Sequence, residues 1–245
     1  GRTLIDNLIL SNQPKPVAMP LRFKEGKLKI AQLTDVHWTP GSEKSEKGNP
    51  ETILKVLEME KPDVVIVTGD VVTRKPAEEG WKRIVEMMET AGIPFAVTMG
   101  NHDAENWSED SIYNYLSKSR LFIGKKGPEA LSGTGNYILP VYASDGTDKI
   151  NALLYCMDSN DYTADAEKYG NYAWIDWGQI AWYREQSRQY TTKNNGNPLP
   201  ALAFFHIGVP EFKHLQNRPD MYGHLGEGGG FPKINSGMFQ SMIEM

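Results

Sequence analysis

The sequence predicts an α/β fold, and three observations predict it. Short apolar runs with strand character alternate with helical stretches between residues 28 and 99. The run Val64-Val-Ile-Val67 is continuously apolar, the pattern of a strand covered on both faces of a sheet. Three successive runs end directly in polar residues. In α/β sheets ligands sit beyond the carboxyl ends of strands, so these ends are where a site is expected.

Taken in order, residues 1–27 read as a leader, with prolines at 14, 16 and 20 favouring extended chain. Residues 28–34 read as a strand that ends at Asp35-Val-His37. A loop is expected over 39–49. Pro50 then opens a helix with Ile53, Leu54, Leu57 and Met59 at helical spacing, closed by Lys61-Pro62. The next strand covers 63–68 and runs into Gly69-Asp70. Residues 77–90 form a helix with Trp81, Ile84, Val85 and Met88 on one side, capped by Gly92 and stopped by Pro94. A strand over 95–99 runs into Gly100-Asn-His-Asp103. The second half holds a strand pair, 136–142 and 152–157, with a turn at Ser144-Asp-Gly146. It continues with a helix over 175–190, an apolar strand over 201–205 that reaches His206, a Gly- and Pro-rich stretch over 208–233, and a helical end over 236–245. Loops at 39–49, 104–112, 159–172 and 208–233 are expected to rim the site. Tyr162, Trp107, Arg218 and Tyr222 are their candidates for substrate contact.

The 245 residues are 40% hydrophobic and 23% charged, an ordinary globular balance that supports a core. Net charge is −5, and no basic run offers a polyanion a grip, which counts against nucleic acid as a partner. The single cysteine, Cys156, lies in an apolar run and reads as a buried thiol. No apolar run approaches the roughly 18 residues of a membrane span. No signal-peptide pattern is present either, and Gly1 reads as a processed start.

Singly, the polar strand ends have ordinary readings. Asp35-x-His37 can be a surface pair, Gly69-Asp70 a turn, Asn101 a turn residue and His206 a core histidine. Together they are ligand-type residues at the ends of four separate strands. That combination points to a metal site. On an extended chain Asp35 and His37 would point to one side. Asp70 has two oxygens and can bridge two cations, and Gly69 lets the backbone approach closely. Asn101 supplies a neutral hard ligand, and His102 is free to donate a proton or to place positive charge near a transition state. The set has no thiolate, which excludes a structural zinc finger and fits a catalytic Mn, Fe or Zn site. Two such ions ~3.5–4 Å apart would clamp a phosphoryl group and generate hydroxide at neutral pH.

The motifs Asp35-x-His37, Gly69-Asp70, Gly100-Asn-His-Asp103 and His206 resemble, in order, those of calcineurin-like metallophosphoesterases. Met157-Asp-Ser-Asn160, Ala173-Trp-Ile175 with Gln179 and Trp182, and Phe204-Phe-His-Ile207 with Glu211 are similar to the branch related to purple acid phosphatases. The resemblance covers residues 28–245. It implies a four-layer α/β/β/α sandwich of two mixed sheets and two divalent or trivalent metal ions. It makes Asp35 and His37 ligands of one ion, Asp70 the bridge, Asn101 and His206 ligands of the second, and His102 the catalytic histidine. The implied activity is hydrolysis of a small or lipid-like phosphate ester, mono- or diester, by a metal-bound hydroxide. A nuclease and a non-catalytic metal- or phosphate-binding protein are the alternatives. A bacterial, secreted protein with its signal peptide removed is the implied setting, with a cytoplasmic one left open.

Two departures from the family pattern stand out. Thr73 occupies the place of the tyrosine ligand that colours purple acid phosphatases, so no Fe–tyrosinate centre is expected. The family's Gly-His-x-His motif after His206 is missing: His224 lies in Tyr222-Gly-His-Leu-Gly226 without a second histidine, and His214 has no such context. The expectation is a domain that stops short of its last strands and holds five of seven protein ligands, plus His102.

Overall fold

The computed structural model describes residues 17–215, 218–223 and 229–245. Its first sheet is parallel, in the order β1 (Ile30–Leu33), β2 (Val64–Thr68), β3 (Phe95–Thr98). Helix α1 (Asn49–Glu60) and helix α2 (Ala77–Ala91) make the two crossovers. Every residue of β2 and β3 is buried, as continuous β-branched runs require of a strand covered on both faces. Lys61 ends α1 in a left-handed conformation, its N–H on the Leu57 carbonyl at 2.9 Å. Gly92 does the same for α2 at φ 68°, where glycine carries no steric penalty.

The second sheet is mixed. β4 (Tyr137–Tyr142) runs antiparallel to β5 (Ile150–Cys156), and β5 runs parallel to β6 (Ala201–Phe204). Side chains alternate across it with period two. Tyr137, Leu139, Val141, Leu154, Cys156 and Phe204 join the core of the first sheet. Leu153, Tyr155 and Met157 join a second core with Ile180 and Tyr183 of helix α5 (Trp177–Lys193) and with Met238 of a C-terminal helix. The layers are therefore helix, sheet, sheet, helix, as the resemblance implied, with the first sheet wholly parallel among the described residues. Cys156 is buried, and its thiol is pushed up to about 12 by that burial.

Several expectations are corrected. Residues 44–48 of the expected 39–49 loop already coil as a wide helical turn leading into α1. Met59 points to solvent at 69% exposure, because Ile53 and Leu57, with Leu54 packed beside them, already fill the buried face of α1. The expected loop 104–112 contains the start of helix α3 (Glu109–Leu116), capped by the Ser108 hydroxyl on the Ser111 N–H. Its signals, Ser108 followed by two acidic residues and an Ile112–Tyr113–Leu116 stripe, stand in the sequence. A short helix, α4 (Ala166–Tyr169), interrupts the 159–172 loop. The expected strand over 201–205 forms as β6, at the edge of its sheet among the described residues, with Leu202 56% exposed. The 208–233 stretch includes a short helical turn, Pro210–His214. Helix α6 (Met238–Glu244) ends the chain as expected. His224 lies outside the described residues.

Candidate metal centre

The three loops that leave β1, β2 and β3 are stitched to one another. Pairing between β1 and β2 continues past both strands: Asp35 N–H donates to the Gly69 carbonyl (3.1 Å), His37 N–H to the Asp70 carbonyl (3.0 Å) and Trp38 N–H to the Val71 carbonyl (2.8 Å). Asp35 and His37 are thus registered against Asp70. The backbone is not extended there. Asp35, His37 and Asp70 have φ of 53°, 49° and 51°, a left-handed conformation that costs non-glycine residues of order 1–2 kcal/mol each. The two side chains meet because the chain coils, which corrects the expectation from strand alternation. At Gly69, φ 83°, a Cβ would stand 2.6 Å from His206 Nδ1 and 2.7 Å from the Gly100 backbone. Only glycine lets the three segments approach this closely.

Asp103 ties the second and third loops together. Its buried carboxylate accepts the N–H groups of Asp70 (2.9 Å), Val71 (2.8 Å), Val72 (3.2 Å) and Gly100 (2.8 Å). Burial pushes its carboxyl up to about 6 against the pull of those N–H groups. The sequence offered Asp103 only as part of a run; its gathering role is tertiary.

The predicted site residues converge. Ligand-type atoms of Asp35, Asp70 and His206 all lie within 4.8 Å of one another. His37 Nε2 is 3.5 Å from Asp35 Oδ1 and 3.5 Å from Asp70 Oδ2, and His206 Nε2 is 3.5 Å from Asp70 Oδ1. Asp70 therefore stands between the two histidines. Its Oδ1 also accepts the His102 N–H at 3.0 Å. The cluster is sealed on one side and open on the other: Asp70 and His206 side chains are 6% and 11% exposed, Asp35 and His37 about half.

His206 donates Nδ1–H to the Thr68 carbonyl at 2.8 Å, which leaves Nε2 facing Asp70. Burial disfavours the charged ring, but Asp70 and the Thr68 carbonyl outweigh it and push His206 up to about 9. Asp70 is likewise held below the usual carboxylate range: burial opposes ionisation, and His206 with the His102 N–H overcomes it. Asn101 is buried and gives an Nδ2–H to the Tyr162 hydroxyl at 2.7 Å. His102 sets Nδ1 2.7 Å from Glu105 Oε1, one helical turn on, and Nε2 3.4 Å from the Tyr162 hydroxyl. Its ring lies 6.2 Å from that of His37.

All six predicted residues are therefore brought to one place. Two carboxylates crowded with imidazole nitrogens are a donor set that fits cations. The partners Glu105, Asp103 and Thr68 were not found from sequence; the i, i+3 spacing of His102 and Glu105 was the one available signal. Of the expected rim residues, Tyr162 reaches the site. Trp107 instead packs on the core, its ring 5.7 Å from Tyr115. Arg218 pairs with Asp220 (2.8 Å), and Tyr222 is fully exposed.

The model of the calcineurin-like phosphoesterase family matches residues 28–228. "Probable inactive purple acid phosphatase 29" of Arabidopsis thaliana is 29% identical over 254 residues, covering 91% of this chain and 65% of that protein. "Phosphatase DCR2" of Saccharomyces cerevisiae is 30% identical over 242 residues, covering 86% of this chain and 41% of that protein. The chain thus spans less than two thirds of the length of these curated relatives. A dimetal phosphatase from Danio rerio shares the fold, with a TM-score of 0.50 at 11% identity over 74% of this chain and 69% of that one.

Proposed function

The chain belongs to the calcineurin-like phosphoesterase family, and from that premise we propose that it hydrolyses phosphate esters at a dinuclear metal site. The observation that carries the reading is the convergence of Asp35, Asp70 and His206 within 4.8 Å, with His37 at 3.5 Å from both carboxylates. Asp35 and His37 would hold one ion, Asn101 and His206 the other, and Asp70 both. Bound divalent ions of Mn, Fe or Zn type supply Lewis acidity to phosphoryl oxygens and make water nucleophilic near neutral pH. The chain's own groups supply the rest. Asp70 and His206, sealed from solvent, form a low-dielectric floor where electrostatic contacts count for most, and His206 would bind an ion through the Nε2 of a neutral ring. Asp35 and His37, half-exposed, open the site to an incoming ester. Glu105 holds His102 by Nδ1 and turns Nε2 toward the site beside the Tyr162 hydroxyl, where the protonated ring would pass its Nε2 proton to the departing oxygen. Net charge −5 favours a small or lipid-like phosphate ester over a polynucleotide as substrate.

A second reading has its own support: two of the relatives, purple acid phosphatases 28 and 29 of Arabidopsis thaliana, are named as probable inactive. It makes this chain a metal- or phosphate-binding protein without turnover. Assay of a chromogenic phosphomonoester and a diester with added Mn²⁺ or Zn²⁺ separates the two. Metal-dependent hydrolysis is expected, and Asp70→Asn should lower it by about 10²–10³-fold, the scale of losing one charge contact to a transition state. Metal uptake in a calorimeter without hydrolysis of either ester would leave the binding reading.

A further inference from the structure

We propose that Tyr162 is a positioning residue of the metal centre, orienting the Asn101 amide so that its oxygen, not its nitrogen, is offered to a cation. The inference rests on the dinuclear reading above and adds to it the device that sets one ligand.

An amide can present either end, and a buried asparagine beside a cation must present oxygen. A tyrosine hydroxyl cannot choose the end alone, since it both donates and accepts. The choice comes from further along the chain of hydrogen bonds. The Glu105 carboxylate oxygen is the acceptor, so His102 Nδ1, 2.7 Å away, is the donor. In the resting imidazole Nε2 is then the acceptor, and the Tyr162 hydroxyl at 3.4 Å is its donor. With its proton committed, the Tyr162 oxygen accepts, and Asn101 Nδ2 at 2.7 Å must donate. The amide oxygen is left for the cluster. One acceptor-only group thus sets the direction of every donor in the row Asn101, Tyr162, His102, Glu105.

Tyr162 is held for this task by a strap from the second sheet. Asp161 and Ala173, and Thr163 and Asn171, are joined backbone to backbone at 3.0 and 2.9 Å, bringing Tyr172 beside Tyr162 with rings stacked at 5.9 Å and 27°. Asn160, with φ 61°, pins the base of the strap, giving its amide N–H groups to the Trp174 carbonyl (2.8 Å) and to Gln179 Oε1 (3.0 Å). Gln179, fully buried on α5, binds the Asp158 carbonyl at 2.6 Å. The hydroxyl is thereby placed by the second sheet over a ligand carried by the first.

The test is Tyr162→Phe, which keeps the ring contacts with Tyr172 (5.9 Å) and His102 (6.1 Å) and removes only the hydroxyl. Titration of the purified chain with Mn²⁺, followed by calorimetry and electron paramagnetic resonance, should show one of the two ions bound about 10–100-fold less tightly, the usual scale for losing a partner of a metal ligand. The other ion and the thermal midpoint should not move. Asn101→Asp presents oxygen whichever way it turns, so in that background Tyr162→Phe should change Mn²⁺ affinity by no more than about twofold. Wild-type affinity for both ions in Tyr162→Phe overturns the proposal, as does an undiminished loss in the Asn101→Asp background. A wild-type chain that takes up fewer than two Mn²⁺ ions defeats the dinuclear reading itself. That failure is visible before any variant is made, and it takes this proposal with it.

Discussion

The two sheets of the molecule follow different rules. The first is a parallel sheet with β2 and β3 buried throughout, enclosed by helices on one side and by the second sheet on the other. It carries five of the six candidate site residues, all on loops leaving its carboxyl ends. The second sheet alternates inward and outward residues and ends at the half-exposed strand β6. It sends one ligand-type residue, His206, and the Tyr162 strap. The difference teaches where precision is made. Left-handed residues and an amide-gathering Asp103 persist only where surrounding structure over-determines them, and that condition is met at the enclosed sheet. The open sheet acts through reach, lowering side chains onto a site already built.

Perturbing each sheet in turn sharpens this contrast. The largest effect is expected from Ile66→Ala at the centre of β2, where exposure is 0%. It should cost about 2–5 kcal/mol in a denaturant titration, since neither face can collapse onto the void. A loss under about 1 kcal/mol would mean that the first sheet is not the rigid member.

An intermediate effect is expected from Asp158, at the base of the strap. Burial first, then the nearby Glu109 carboxylate, push its carboxyl up to about 8. Its oxygens accept the N–H groups of Thr134 and Asn160, both at 2.8 Å. The folded form keeps a proton that the unfolded chain releases near 3.8. This contribution is therefore complete below that value and is lost as pH rises through about 8. Unfolding free energies from denaturant titrations between pH 5 and 9 should fall by up to about 1.4 kcal/mol per pH unit for one proton as far as about pH 8 and level off above it, and Asp158→Asn should flatten the fall. An unchanged slope in the variant would place the titrating group elsewhere.

The smallest effect is expected from Leu202→Ala on β6. At 56% exposure it should shift stability by no more than about 0.5 kcal/mol. A loss near that of Ile66→Ala would erase the distinction between the sheets.

Much of the fold was legible locally. Val64-Val-Ile-Val-Thr68 announced a covered strand, and Gly92 with Pro94 marked the end of α2. Asp35, His37, Asp70, Asn101, His102 and His206 were legible as a set because ligand-type residues ended strand after strand. Helix α3 was missed although Ser108 and its acidic first turn signalled it, because the Asn101–Asp103 turn just before it drew the segment into a loop. Met59 was misplaced because it continues the helical spacing, while only packing decides where a buried stripe stops.

By itself the sequence determined the strand and helix order, the chemistry of the donors and the family resemblance, because these depend on residue type and short-range spacing. The tertiary structure decided the rest. It coiled Asp35 and His37 into left-handed backbone, since only the neighbouring Gly69–Asp70 loop supplies the carbonyls that hold them there. It gave Asp103 four amides from two loops and set His206 against Thr68, 138 residues away in sequence. It placed Tyr162 over Asn101 through a strap pinned at Gln179. Each of these contacts joins segments that share no local pattern, so only closing the two sheets on one another could bring them together.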